Sequence, residues 1–93
     1  HPARRPQDLD TREINALARQ TLAVTLRAYR AKGVTNEAAR VTRLKAAGNP
    51  YSSFRFAVFD RAGEPCYRCG SGIQRISVSS RRLYFCSSCQ PLV

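Results

Sequence analysis

From Asp10 to Gly33 the apolar positions recur at helical spacing: Ile14, Leu17, Ala18, Leu22 and Leu26, then Tyr29, with Thr21 and Thr25 on the same side. That pattern predicts an amphipathic helix of about six turns at 3.6 residues per turn. Asp10 is a suitable N-cap, and Glu13 three residues later completes the sequence pattern of a capping box. Gly33 suits the C′ position that closes the helix, with Arg30 and Lys32 placed to favour the negative end of its dipole. The stripe is one-sided, so the Ile14–Tyr29 face is expected to leave apolar surface exposed unless something further covers it.

Beyond Gly33 the helical pattern weakens. Thr35 or Asn36 can cap a second helix through Lys45, ending before Gly48-Asn49-Pro50. Its apolar content is thin (Ala38, Ala39, Val41, Leu44), and a loop with helical turns is the alternative. Tyr51 to Phe59 then holds four of the eight aromatic rings: Tyr51, Phe54, Phe56 and Phe59. This reads as a packing segment joining the helices to the cysteine-bearing last third, in preference to a stacking platform for bases. That last third changes character. Ile73 to Val78 and Arg82 to Phe85 are β-favouring runs around Ser79-Ser80-Arg81, which predicts a hairpin. The fold class is therefore mainly α with a small β-hairpin module: a long amphipathic helix, a second short helix, then the hairpin. The division falls at residues 1–55 and 56–93.

Ninety-three residues allow one domain, or one small domain with an appendage. A chain this short buries a modest share of its surface, so a metal or disulfides often reinforce the fold. No stretch approaches the roughly 18 consecutive apolar residues of a membrane span. The opening His1-Pro2-Ala3-Arg4-Arg5-Pro6 has no apolar core of a signal peptide. Methionine is absent from the chain, which leads us to expect a processed or truncated piece of a longer protein.

Charge sharpens the picture. The net charge is +10, from 16 basic against 6 acidic residues, and all but Lys32 and Lys45 of the bases are arginine. The planar guanidinium fork suits phosphate oxygens, and this imbalance is the electrostatic footprint of a nucleic-acid binder. Codon bias accounts for arginine over lysine, but not for the excess over acid. Residues 65–93 carry Arg68, Arg75, Arg81 and Arg82 and no acid at all.

The same third carries two Cys-x-x-C pairs, Cys66/Cys69 and Cys86/Cys89, with sixteen residues between them. Two such turns joined by a hairpin bring four thiolates towards a tetrahedron, the arrangement zinc prefers. Two disulfides would need an oxidising compartment, for which there is no signal. A thioredoxin-like redox pair would need a βαβ setting, which is not visible. Iron in a rubredoxin-like site shares the ligand set. Zinc fits best, and four protein sulfurs leave no open position for water, so the metal is expected to be structural. Ligation would help fold a segment poor in large apolar residues and hold Arg81 and Arg82 at the tip of a rigid arm, where phosphate contact is the favoured role. Thiolate ligands also point to an intracellular, reducing compartment, cytoplasmic or nucleoid-associated.

The stretch Phe56-Ala-Val-Phe-Asp-Arg-Ala-Gly-Glu-Pro-Cys66, then Cys69-Gly70, then Arg81 through Tyr84-Phe85-Cys86 to Cys89-Gln90, resembles the C-terminal zinc finger of the formamidopyrimidine-DNA glycosylase/endonuclease VIII family. Upstream, His1-Pro2 and the long helix resemble, more weakly, the stretch following that family's helix–two-turn–helix motif. The resemblance implies that residues 1–55 are the C-terminal part of a helical DNA-binding domain and 56–93 its zinc finger. It implies one structural zinc on Cys66, Cys69, Cys86 and Cys89, and Arg81 on phosphates flanking the lesion, with Arg82 as an extra base beside it. The partners implied are double-stranded damaged DNA and an N-terminal catalytic part absent from this chain; no membrane is involved. The family's nucleophile is an N-terminal proline followed by glutamate. Pro2 is internal and Ala3 follows it, so no catalytic residue is assigned. Family members often have glycine where Ser80 stands. Gly33 to Ala39 is poorer in glycine than the lesion-sensing loop of the formamidopyrimidine branch, which leans towards an endonuclease VIII-like member.

Three functions compete. The first is the DNA-gripping portion of a base-excision-repair DNA glycosylase/AP lyase. The second is an unrelated zinc-ribbon module binding RNA or a protein partner. The third is an enzyme in its own right, which one histidine, two lysines and six scattered carboxylates do not support with any motif.

Overall fold

The computed structural model describes residues 1–92. The order of elements is a single 3-10 turn (Pro6–Asp8), α1 (Thr11–Arg30), α2 (Ala38–Ala46), α3 (Tyr51–Phe54), β1 (Gln74–Val78) and β2 (Arg81–Phe85). The chain divides into two compact units. Among the described residues, 5–56 form a helical unit, and 57–92 with 1–4 form the other, which contains the hairpin.

Helix α1 begins where the sequence places it. The backbone N–H of Glu13 donates to the Asp10 carboxylate at 2.8 Å, the N-cap bond that satisfies one orphan donor of the first turn. Its other end differs by one residue from expectation. The Gly33 N–H reaches back to the Ala28 carbonyl at 2.8 Å, a six-to-one bond of the Schellman kind. This makes Lys32, at φ 54°, the left-handed C′ residue, with Gly33 at φ 93° one position further on. Two consecutive left-handed residues turn the chain sharply, and only the second is glycine. No residue of α1 is buried, and Ile14, Leu17, Leu22, Leu26 and Tyr29 are all exposed.

The core of the helical unit lies after the turn. Val34, Asn36 and Phe54 are buried. Thr35 or Asn36 is expected to cap α2, yet the cap position falls to Glu37, which makes no side-chain cap bond. Asn36 instead acts one residue earlier. Its Oδ1 accepts from the Glu37 N–H at 3.0 Å and from Arg40 at 2.9 Å, while its Nδ2 donates to the Phe54 carbonyl at 3.3 Å. Thr35 and Asn36 also both donate their N–H groups to the Arg55 carbonyl. These bonds tie the loop before α2 to the end of α3. A nine-residue helix thus stands where the sequence also allowed an irregular loop, because polar tethers and the α3 packing supply what its sparse apolar face does not.

In the other unit a two-stranded antiparallel sheet pairs Gln74 with Phe85, Ile76 with Leu83 and Val78 with Arg81. The connection is shorter than expected. Only Ser79 (φ 50°) and Ser80 (φ 64°) form it, both left-handed, as a two-residue hairpin of the I′ kind requires. Arg81 belongs to β2 rather than to the turn. The core here is Ile73, Tyr84 and Cys86, with Val58 and Cys66 packed against it. Phe59 meets Tyr84 edge to face at 5.1 Å, so one ring of the aromatic run packs on the hairpin base while remaining half-exposed. Among the described residues no helix is long and apolar enough to cross a membrane.

Candidate metal centre and basic hairpin

The hairpin holds one Cys-x-x-C turn at each root. In the first, the Cys66 N–H donates to the Ser71 carbonyl at 2.7 Å and the Gly70 N–H returns to the Cys66 carbonyl at 2.9 Å. Gly70 stands at φ 79°, where a side chain would be strained. In the second, the Gln90 N–H bonds the Cys86 carbonyl at 2.8 Å, and the Gln90 side-chain oxygen accepts from the Cys86 N–H at 3.1 Å. Ser71 and Ser88 join the two turns through their hydroxyls at 2.9 Å. Ahead of the first turn, Arg61 donates to the Ala57 and Pro65 carbonyls and lies 3.8 Å over the Tyr67 ring. It clamps the approach to Cys66.

These turns bring the four sulfurs within 4.8 Å of one another. Cys66 and Cys89 approach to 3.9 Å, Cys69 and Cys86 to 3.4 Å. A tetrahedron with Zn–S bonds of about 2.3 Å has edges of about 3.8 Å, so the donor set fits one metal ion. All four cysteines are free thiols, and their separations are far beyond a disulfide bond. Backbone N–H groups point at two sulfurs: Arg68 at Cys66 (3.4 Å) and Cys89 at Cys86 (3.5 Å). Such bonds favour thiolate over thiol and orient the ligand.

The four thiols perturb one another strongly. Hydrogen bonding from Ser71 holds the Cys69 thiol down to about 6. Hydrogen bonding to Cys69 pushes Cys89 up to about 12. Four thiolates in so small a volume repel each other, and a dication removes that conflict. The arrangement suits a structural site: one zinc on these four sulfurs would leave no ligand position for chemistry.

The arginines sort by strand parity. Directly paired residues share a face, and faces alternate along each strand. Ile73, Tyr84 and Cys86 face the core, so Arg75, Ser77 and Arg82 continue that face towards the tip. The other face carries Ile76, Leu83 and Phe85, with Val78 and Arg81 at its end. Arg81 and Arg82 thus stand near the same tip but on opposite faces. Nearness to the turn, and for Arg81 the family resemblance, singled out Arg81 and Arg82 in the sequence but not Arg75, which the register places on the face of Arg82. Counting in twos from Cys86 along one strand and from Ile73 along the other would have found it. Gln90, Ser71 and Ser88 were also missed; nothing distinguishes them in sequence except their nearness to cysteines.

A two-stranded hairpin with a Cys-x-x-C turn at each root and four converging sulfurs is a zinc ribbon. The family model for a zinc finger found in FPG and IleRS matches residues 63–92. Along 90% of its length the chain is 38% identical to endonuclease 8 of Shigella sonnei strain Ss046, and equally to that of Escherichia coli O9:H4 strain HS. Endonuclease 8 of Escherichia coli O127:H6 is 37% identical over 86 residues. Over its own length this chain is similar to members of the formamidopyrimidine-DNA glycosylase/endonuclease VIII family. It spans 28% of the length of these relatives. No solved structure gives a significant match.

Proposed function

We propose that this chain is the DNA-gripping portion of a base-excision-repair glycosylase/AP lyase acting on oxidised bases in double-stranded DNA. The observation that carries the reading is its similarity to endonuclease 8 through both the helical unit and the finger, at 38% identity over 84 residues. In this reading residues 1–55 belong to the helical DNA-binding domain, and 56–93 are the zinc finger. Cys66, Cys69, Cys86 and Cys89 ligate the zinc. Arg81 and Arg82 hold phosphates beside the lesion, while a catalytic part elsewhere in the parent extracts the base. The protein works in a reducing, intracellular compartment, where thiolate ligands persist. The exposed apolar stripe of α1 supports a parent polypeptide that packs against it.

Borohydride trapping on a duplex with an abasic site, run beside fluorescence anisotropy, tests the proposal. We expect salt-sensitive duplex binding without a covalent adduct, because the chain supplies a grip and no nucleophile. A stable adduct would place Schiff-base chemistry on the His1 amine or a lysine and overturn the assignment. Tighter binding to single-stranded RNA than to the duplex would favour the ribbon as an RNA-binding module.

A further inference from the structure

Resting on the reading of the finger as a DNA grip, we infer that Arg75 is a second phosphate-binding residue that acts with Arg82 on one face of the hairpin. Arg81, on the other face, makes a separate contact. Strand register places the two side chains. Arg75 lies opposite Tyr84 and Arg82 opposite Ser77, so the two arginines are diagonal neighbours on adjacent strands. Diagonal positions on one sheet face lie about 7–8 Å apart, within mutual reach of long side chains.

Two like charges at this separation repel, and a nearby carboxylate would offset that repulsion. Here no acid occurs anywhere in residues 65–93. Arg75, Arg81 and Arg82 are exposed, and no side-chain hydrogen bond or ion pair engages them among the described residues. Arginines with a structural task look different in this protein. Arg61 spends its guanidinium on two carbonyls and a ring, and Arg27 donates to the Thr35 carbonyl at 2.9 Å. The Arg75–Arg82 face is also rigidly based: Tyr84 and Cys86 continue it directly into the core and the metal centre. Rigid presentation lowers the ordering cost of a charge-assisted contact.

A duplex strand offers a row of anionic oxygens that two neighbouring guanidinium groups can bridge. The Ser77 hydroxyl opposite Arg82 adds a neutral donor between them. Arg81, beside half-exposed Val78 on the far face, cannot share that stretch of backbone without the hairpin turning over.

The test uses the zinc-loaded chain and a fluorescent duplex with a stable abasic-site analogue. Arg75→Gln, Arg82→Gln, Arg81→Gln and Arg75→Lys are compared by anisotropy across a salt series, each with zinc content and far-UV circular dichroism measured. Each lost phosphate contact should lower the slope of log K against log salt by about 0.9. We expect Arg75→Gln to weaken binding several-fold with that drop in slope, and Arg75→Lys to restore most of it. We also expect Arg75→Gln with Arg82→Gln to be non-additive, and Arg75→Gln with Arg81→Gln to be additive. If Arg75→Gln leaves affinity and slope unchanged while Arg81→Gln or Arg82→Gln reduces both, the proposal is wrong and the DNA-binding reading stands. If the unmodified chain shows no salt-dependent duplex binding, both fall together.

Discussion

Asn36 shows how much a single residue carries. It is 1% exposed, and its amide serves three partners across the junction of the helices. Truncating this side chain to a methyl group would leave the Phe54 carbonyl and the Glu37 N–H without these bonds in a dry setting. A loss of about 2 kcal/mol is expected for unsatisfied buried groups of this kind, measurable by urea denaturation of Asn36→Ala. Asp10 acts at the surface. The Glu13 N–H holds its carboxyl below the ordinary 3.8. A carboxyl depressed by folding stabilises the helix above that ordinary value, and the contribution is lost as pH falls through the depressed one. Far-UV circular dichroism should therefore show α1 signal falling in acid in the native chain. Asp10→Ala should already be weakened at neutral pH and show less acid dependence. The sequence made Asp10 legible because a cap is a local bond. Asn36 was legible only as a cap, since its main partner lies eighteen residues away.

Among the elements, the hairpin shows most clearly what a metal and a turn do. Ser79 and Ser80 both occupy the left-handed region, which costs a residue with a Cβ roughly 1–2 kcal/mol. Replacing the pair by Asn-Gly, the sequence such turns prefer, should raise the melting temperature without altering the strand register. Thermal denaturation of S79N/S80G would check it. A drop would mean the serines make compensating bonds. The finger's small core of Ile73, Tyr84 and Cys86 makes it dependent on the metal. A chelator should abolish its strand signal, and Cys86→Ser should cut zinc content well below one ion per chain, read by metal analysis. Zinc ligation was legible because Cys-x-x-C spacing fixes the local turn. The faces of the arginines were not, because they depend on where the strand starts and how it pairs.

At the scale of the molecule, charge and apolar surface decide what the protein needs. With a net charge of +10 the chain repels itself, and polyanions relieve that repulsion. Adding a short anionic duplex should raise the melting temperature at low salt, and added salt should remove the effect; differential scanning fluorimetry would record it. The α1 stripe raises a separate demand. A one-sided helix with Leu22 at 72% and Tyr29 at 84% exposure has not buried its apolar face. The expectation of exposed surface along Ile14–Tyr29 is met.

Local spacing alone settles the long helix and its cap, the two Cys-x-x-C turns and a basic hairpin. These depend on bonds a few residues apart, which composition and periodicity encode directly. Which arginines share a face, that Lys32 rather than Gly33 takes the left-handed C′ position, and that Asn36 joins a loop to a distant helix end were set by the folded chain. Those outcomes depend on strand register and on packing between segments far apart in the chain. The energy that selects them comes from contacts no local pattern contains.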